Sequence, residues 1–176
     1  MDLKDHIEAC KKGSRKSQMH LYKSYYKAMY NTSLRIVNNQ YEAEDIMQES
    51  FLAAFTGIAT YRAEVSFGAW LKKIVINKSI NEARKQQQIQ WVDLEVYEVE
   101  NEDNTTIDSQ VKLQEVMGAM QVLKDKYRIV LSLYYIEGYD HEEIAEILTV
   151  SYANSRTLLS RAKASLQKKL SLLKKV

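Results

Sequence analysis

The stretch Ser66 to Lys85, SFGAWLKKIVINKSINEARK, organises the N-terminal half of the chain. Its apolar side chains recur at i, i+3, i+4, i+7 and i+8, which is the spacing of a single buried stripe on a helix. The residues on this stripe are Phe67, Trp70, Leu71, Ile74 and Val75. Ser66 stands where its hydroxyl can accept a hydrogen bond from a free backbone N–H at the start of the helix. The stretch therefore predicts an amphipathic helix that begins just after Ser66.

The apolar phase changes in the middle of this stretch. One turn further, the stripe would need an apolar residue at Lys78, but a new series begins instead, with Ile76, Ile80 and Ala83. Asn77 and Ser79 lie at the change, and both residue types favour turns and caps over helix interiors. The pattern predicts two helices that meet at a polar joint around Asn77. The alternative is a core helix with a solvated lysine face.

Composition favours a helical protein in a reducing compartment. The 176 residues include no proline and five glycines, so few residues oppose helix formation. The single cysteine, Cys10, excludes an internal disulfide. The N-terminus has no apolar signal-peptide core, and no apolar run approaches membrane-spanning length. We therefore expect a cytoplasmic protein.

Charge is segregated along the chain, although the formal net charge is only +2. Residues 86–110 contain seven acids and no Lys or Arg, whereas residues 151–176 contain seven bases and no acid. Such blocks indicate a basic end that meets a polyanion, preceded by an acidic connector.

The residues before Ser66 predict three helices, at about 3–12, 14–37 and 41–58. The third has a buried stripe and a second line at i, i+3, i+4 and i+7. This second line comprises Asp45, Gln48, Glu49 and Leu52. Such a line is most often a solvated helix face. It can also form a docking strip for a basic partner, with Leu52 as its apolar anchor.

The C-terminal residues predict a second helical unit. Residues 91–108 lack a helical stripe, and their alternation of apolar residues could mimic a strand that would have nothing to pair with. After two further helices, Asp140 caps a short helix at 141–148, and Ser151 caps a long basic one. A short helix, a tight turn and a longer basic helix form a helix-turn-helix. We predict an all-α protein with domains at 1–90 and 109–176, joined by an acidic extended linker at 91–108.

Three segments in this order resemble the extracytoplasmic-function (ECF) subfamily of bacterial RNA polymerase sigma factors. AEDIMQESFLAAF (43–55) resembles the region 2 helix with its D-x-x-Q-E-x-F core, and SFGAWLKKIVIN (66–77) resembles the following F-x-x-W-L-x-x-I-x-x-N block. YRIVLSLYYIEGYDHEEIAEIL (127–148) with SRAKASL (160–166) resembles region 4. The chain departs from the family pattern at Lys124, Thr149, Ser155 and Leu158, where the family usually has Pro, Gly, an apolar residue and Arg.

The resemblance implies a sigma factor that binds core RNA polymerase, directs it to particular promoters and helps to open the DNA. Asp45, Gln48, Glu49 and Leu52 would dock on the polymerase. At the −10 element, Asn77 matches the family residue in the loop that receives an extruded base, because an amide offers both donors and an acceptor to a base edge. The other −10 candidates, for phosphate contact or base stacking, are Tyr61, Lys72, Lys73, Lys78, Arg84 and Lys85.

The resemblance also assigns the −35 contacts and the partners. The recognition-helix candidates are Asn154, Arg156, Thr157, Ser160 and Arg161. Arginines there can make bidentate contacts with guanine or phosphate. The expected partners are core RNA polymerase, promoter DNA and an anti-sigma factor. No cofactor, metal, catalytic residue or small-molecule substrate is expected.

Other classes of function explain less of the sequence. A stand-alone helix-turn-helix regulator would use residues 109–176 but would leave the N-terminal half unassigned. The basic recognition helix argues against an adaptor or anti-factor that binds only protein. An enzyme is the least favoured class, because His6, His20 and His141 lie far apart in sequence and the chain has neither a phosphate-binding glycine loop nor a nucleophile motif.

Overall fold

A computed structural model describes residues 2–87, 91 and 112–173. Its chain divides into two compact units, Met1–Gln86 and Gln87–Val176. All regular elements among these residues are helical, which confirms the predicted all-α class. Apart from Trp91, the predicted acidic linker at 91–108 lies outside the described residues.

The first unit contains four α-helices and a short 3-10 turn. The helices are α1 (Leu3–Lys11), α2 (Arg15–Val37), α3 (Gln40–Thr56) and α4 (Phe67–Gln87), and the turn is Ile58–Thr60. Local polar residues fix the helix ends. Ser14 accepts a hydrogen bond from the Ser17 amide at 3.3 Å, and Ser66 accepts one from the Ala69 amide at 3.2 Å. The predicted cap at Ser66 is therefore present.

The predicted break at Asn77 is wrong, because α4 runs unbroken from Phe67 to Gln87. The buried stripe continues through Ser79, which is fully buried one turn after Val75. The Ser79 hydroxyl donates to the Val75 carbonyl at 2.8 Å and lies 2.9 Å from the Ser33 hydroxyl of α2. Because these bonds satisfy a buried polar group, serine holds a core position that the apolar pattern alone did not reveal.

The core of the first unit surrounds the start of α4. Phe67, Leu71 and Val75 are buried against side chains from the three preceding helices. The next residue after Phe67, Gly68, allows a close approach to α2, since a Cβ at this position would lie 2.9 Å from Tyr25 Cε1. Any larger residue at position 68 would therefore displace the Tyr25 ring. The absence of a side chain at Gly68 thus lets Tyr25 of α2 pack closely against α4.

Two histidines of the first unit, His6 and His20, stack on each other. Their ring centroids are 3.8 Å apart. Partial burial of His6 and the neighbouring His20 lower the pKa of His6, and Asp5 and Asp2 oppose this shift. The unfolded chain therefore binds a proton at His6 more readily than the folded chain does. The contribution of His6 to the free energy of unfolding should be fully present above about pH 6.5 and should be lost as the pH falls below it.

We expect thermal melts to show a lower melting temperature at pH 5.5 than at pH 7.5, and the His6→Gln variant to show a smaller difference. Comparing the variant with the parent protein removes the contribution of carboxylates that titrate in both. An equal pH dependence of the two melting temperatures would exclude this role for His6.

The second unit contains a helix-turn-helix built on α5 (Leu113–Gln121), α6 (Asp125–Leu131), a π-helical turn (Ser132–Ile136), α7 (His141–Leu148) and α8 (Tyr152–Leu173). Asp140 caps α7 in a reciprocal capping box with Glu143, with both hydrogen bonds at 2.9 Å. The Ser151 hydroxyl accepts from the Asn154 amide at 3.1 Å. Both predicted caps are thus present: Asp140 fixes the start of α7, and Ser151 fixes the start of α8 just after the tight turn.

Thr149, in that turn, adopts a left-handed backbone conformation with φ +54°. This conformation costs L-residues about 1–2 kcal/mol, and a β-branched residue tolerates it poorly. We expect Thr149→Gly to raise the free energy of unfolding by about 0.5–1 kcal/mol, because glycine's greater freedom in the unfolded chain offsets part of the relief. Chemical denaturation measures this difference.

Asn38 provides the matched control, because it ends α2 at φ +55° and asparagine tolerates this conformation. Asn38→Gly should change the free energy of unfolding less than Thr149→Gly does. A destabilised Thr149→Gly variant would mean that contacts of the threonine side chain outweigh its backbone strain.

Candidate polymerase and nucleic-acid interfaces

One face of α3 presents the predicted docking strip to solvent. Asp45, Gln48, Glu49 and Leu52 are all exposed, and Leu52 exposes 68% of its surface. The opposite face of α3 is buried and holds the helix in place through residues such as Met47 and Phe51. Tyr41, which is 83% exposed, lies one turn before Asp45 on the same line. The sequence analysis did not include Tyr41 in the docking strip, although its position four residues before Asp45 places it on the same line.

An apolar groove lies beside this strip, between α2 and α3. It encloses about 520 Å³ and shares Gln48 and Leu52 with the strip. Its other lining residues are Arg15, Gln18, Met19, Tyr22, Phe51 and Phe55. One of them, Met19, is 54% exposed. The acidic strip and the groove together form one surface with charged and apolar parts.

The predicted −10 residues of α4 lie on its solvent side. Asn77, Lys73 and Lys85 are exposed, and the remaining three, Lys72, Lys78 and Arg84, are half-buried. The Asn77 side chain is exposed from the middle of a continuous helix, not from the predicted joint. Lys78 Nζ lies 3.3 Å from Glu49 Oε2. This ion pair connects the basic residues of α4, which we call its basic face, with the docking strip of α3. The sequence analysis had treated the two as separate sites.

Tyr61 does not present its ring for base stacking. It is only 7% exposed, and its hydroxyl donates to the Val65 carbonyl at 2.7 Å. Its ring centroid lies 5.7 Å from that of Phe67 and 5.2 Å from that of Trp70. Tyr61 is therefore a core residue that closes the loop before α4, and this conformation does not support its predicted role.

The predicted −35 residues divide into two groups on α8. Arg156, Ser160 and Arg161 are partly exposed, as a DNA-reading surface requires. Asn154 and Thr157 are buried, at 2% and 3% exposure. In this conformation neither of these two is available to a base edge.

Two departures from the family pattern occupy the inner side of α8. Ser155 and Leu158 are fully buried, and the Ser155 hydroxyl lies 3.1 Å from His141 Nδ1 on α7. Their effect is therefore on the packing of the helix-turn-helix, since neither side chain is exposed for contact with DNA.

The described residues offer no group of three or more His, Cys, Asp or Glu side chains that could hold a metal ion. Cys10, a free thiol, is buried, and burial raises its pKa. Over the same part of the chain, no helix is long and apolar enough to cross a membrane.

Comparison with known proteins assigns both units. Residues 21–89 match Sigma-70 region 2, and residues 113–166 match Sigma-70, region 4. The chain is 31% identical to the ECF RNA polymerase sigma factor SigW of Bacillus subtilis (strain 168) over 182 residues, which cover 97% of each chain. It is 31% identical to the RNA polymerase sigma factor YlaC of the same organism over 157 residues, which cover 85% of this chain and 90% of YlaC.

A solved structure supports the fold. The sigma factor RpoE from Bartonella quintana, in a co-crystal structure with the anti-sigma factor NepR, matches with a TM-score of 0.57 and 21% sequence identity. The match covers 87% of this chain and 96% of RpoE. The region 2 match includes the docking strip and the basic face of α4, and the region 4 match includes the helix-turn-helix. The chain belongs to the ECF family of RNA polymerase sigma factors.

Proposed function

We propose that this sigma factor docks on core RNA polymerase through α3, melts and reads the −10 element through α4, and reads the −35 element through α8. The main observation that supports the proposal is the Lys78–Glu49 ion pair, which joins the basic face of α4 to the docking strip of α3. An acidic strip and a basic helix face lie side by side in the region 2 unit, where a sigma factor has to hold both polymerase and DNA.

The surface on α3 suits a partner with both basic and apolar side chains. Asp45 and Glu49 supply negative charge, and Leu52 stands beside the groove between α2 and α3. Interfaces commonly combine such a buried apolar centre with a charged rim. We assign this surface to core RNA polymerase, and we assign Tyr41 to it as a further contact.

The surface on α4 suits DNA that is being opened. Lys72, Lys73, Lys78, Arg84 and Lys85 can neutralise phosphates, and such contacts position DNA without reading its sequence. Asn77 has the donors and acceptor needed to read an extruded base. We therefore assign phosphate binding to the basic residues of α4 and base recognition to Asn77.

The recognition helix supplies sequence preference at the −35 element. Arg156, Ser160 and Arg161 are the accessible candidates, and Arg156 can pair with both acceptors of a guanine. Asn154 and Thr157 remain candidates only if the contacts that bury them are released.

The same assignment covers the setting of the protein. Its further partner is an anti-sigma factor, since the similar Bartonella quintana sigma factor was solved bound to the anti-sigma factor NepR. We also propose that the protein is cytoplasmic and acts by binding alone, without catalysis, because a sigma factor acts on RNA polymerase and chromosomal DNA. The alternative, a stand-alone DNA-binding regulator, would not explain the exposed docking strip of α3.

Transcription with purified core RNA polymerase tests the proposal. The full-length protein should direct transcripts from specific promoters in a promoter library, and core enzyme alone should not. Transcripts that do not depend on the added protein would refute the proposed function.

Two substitutions should separate base reading from phosphate binding. Arg156→Ala should relax preference at one −35 base pair by about 1–3 kcal/mol, whereas Lys73→Ala should weaken binding evenly across sequences. Holoenzyme binding to a set of −35 variants measures both effects. Lys23→Ala, an exposed lysine on α2, is the charge-matched control. A change of sequence preference with Lys73→Ala alone would reverse the two roles.

A further inference from the structure

An exposed aromatic ring stands at the start of the recognition helix. Tyr152 is the first residue of α8 and exposes 50% of its surface. The Ser151 cap, whose hydroxyl accepts from the Asn154 amide, fixes the backbone of this first turn. Tyrosine is enriched at interfaces, because its ring supplies a large apolar area together with a polar tip. The position of Tyr152 on a helix proposed to read DNA therefore points to a contact made in the complex.

Neighbouring rings support Tyr152 from one side. The His141 ring, at the start of α7, meets the Tyr152 ring edge-on, with the two centroids 5.9 Å apart. His141 is itself held in place, because its Nδ1 lies 3.1 Å from the Ser155 hydroxyl and its ring centroid lies 5.2 Å from that of Tyr134. Tyr152 thus has one supported side and one side open to solvent. A side chain that is already held in place loses little freedom on binding.

Tyr152 lies on the same side of α8 as Arg156, the −35 candidate four residues later. Four residues turn a helix by about 400°, so the two side chains are about 40° apart around the axis and about 6 Å apart along it. In a helix-turn-helix, the N-terminal residues of the recognition helix contact base edges in the major groove. Asn154 and Ser155, in the same turn, are buried. Tyr152 is therefore the exposed side chain of this turn that is long enough to reach a base.

An aromatic ring suits one feature of the major groove. Thymine presents an apolar group there, its C5 methyl, and apolar side chains recognise it by contact. The Tyr152 ring offers such an apolar surface, whereas Arg156, Ser160 and Arg161 offer hydrogen-bonding groups. The Tyr152 hydroxyl could instead meet a phosphate, which would position the DNA without reading its sequence. The support of the ring beside Arg156 favours the contact with thymine.

We propose that Tyr152 determines specificity at the −35 element, and that its ring packs on the C5 methyl of a thymine near the base pair that Arg156 reads. The proposal rests on the proposed role of α8 in −35 recognition. It adds an apolar contact to a surface whose other accessible candidates are arginine and serine. The protein should therefore prefer thymine at one position of the −35 element.

Replacing thymine with uracil in a promoter fragment tests the proposal, because it removes the methyl group and leaves the hydrogen-bonding groups of the base in place. Holoenzyme with the parent protein should bind about fourfold more weakly when one −35 thymine is replaced, the effect expected of one buried methyl group. Holoenzyme with Tyr152→Ala should bind the thymine and uracil fragments equally. Each comparison uses two fragments with one protein, so a smaller folded fraction of the variant lowers both affinities alike.

Two further variants separate the ring from other effects. Tyr152→Phe keeps the ring and should keep the fourfold difference between thymine and uracil. A Tyr152→Phe holoenzyme that binds both fragments equally would assign the contact to the hydroxyl and overturn the proposal. Tyr135→Ala is the matched control, because Tyr135 is also an exposed tyrosine of this unit but lies on the π-helical turn, outside α7 and α8. The control should distinguish thymine from uracil as the parent protein does.

Two results with the main pair would also overturn the proposal. One is equal binding of the thymine and uracil fragments by the parent holoenzyme at every −35 position. The other is a difference between thymine and uracil that persists unchanged in Tyr152→Ala.

A failure of the proposed function would give a different pattern. If α8 does not read the −35 element, Arg156→Ala and Tyr152→Ala will both leave the preference at every −35 position unchanged. If only the thymine contact is wrong, Arg156→Ala will still relax the preference at its own base pair, while Tyr152→Ala responds to uracil as the parent protein does.

Discussion

Replacing Asn77 with alanine is expected to reduce open-complex formation at the preferred −10 sequence by about fivefold or more, while the melting temperature stays the same or rises slightly. Asn77 is exposed in the interior of α4, which begins ten residues earlier at Phe67. Alanine has a higher helix propensity than asparagine. The position also excludes a helix-capping role, so any loss of promoter opening cannot come from a lost cap.

The expected loss follows from the cost of extruding a base. Removing a base from its stack costs a few kcal/mol, and a site that receives the base offsets this cost by hydrogen-bonding its edge. An amide that makes two such bonds is worth about 1–3 kcal/mol of discrimination against a wrong base, or roughly five- to 150-fold. The effect should therefore be largest at the preferred −10 sequence.

Permanganate footprinting of the melted region, combined with thermal melts, measures both quantities. Asn31→Ala is the matched control, because Asn31 is also an exposed asparagine inside a long helix, α2. This control should leave promoter opening unchanged. Normal footprints with Asn77→Ala would remove Asn77 from the −10 site.

Removing both carboxylates of the docking strip is expected to weaken binding to core polymerase by about tenfold or more. Asp45 and Glu49 are one turn apart on the exposed face of α3, so Asp45→Ala combined with Glu49→Ala should not disturb the core. Charge pairs at interfaces contribute from about 1.5 kcal/mol upwards when they are close. Folding should be nearly unaffected, because exposed substitutions usually change stability by less than about 0.5 kcal/mol.

Co-purification with core polymerase and a competition titration against the parent protein measure this loss. The charge-matched control is the pair Glu8→Ala and Glu64→Ala, two exposed acids of the same unit that lie outside α3. The control pair should bind core polymerase normally. Equal weakening by both pairs would indicate a general effect of net charge and would remove the docking strip from the polymerase interface.

Sequence patterns predicted the features that depend on neighbouring residues. The caps at Ser66, Asp140 and Ser151 are each made by a side chain that reaches an amide three residues later. The helix at 141–148 has the predicted bounds. Such features are visible in a sequence because both partners of each contact lie within one turn.

Sequence patterns were least informative where a distant contact determines whether a residue is buried. Ser79 was taken as a helix breaker, but Ser33, 46 residues earlier, provides a partner that lets it lie in the core. Asn154 was predicted to contact DNA, and in the structure its amide donates to the Trp91 carbonyl. Tyr61 lies in the predicted loop, but its ring is buried against two aromatic residues of α4. No local pattern contains these long-range partners.

The continuity of α4 has a consequence for the length of DNA that it would span in its proposed role at the −10 element. Lys73 and Arg84 are eleven residues apart on one helix, which places them on the same side of it and separates them by about 16 Å along its axis. One strand of DNA advances 3.4 Å per nucleotide, so this distance corresponds to about five nucleotides. Because the helix has no joint between these two residues, it holds their backbones at a fixed spacing. In the proposed role, α4 would therefore fix the number of nucleotides between the phosphates that they bind.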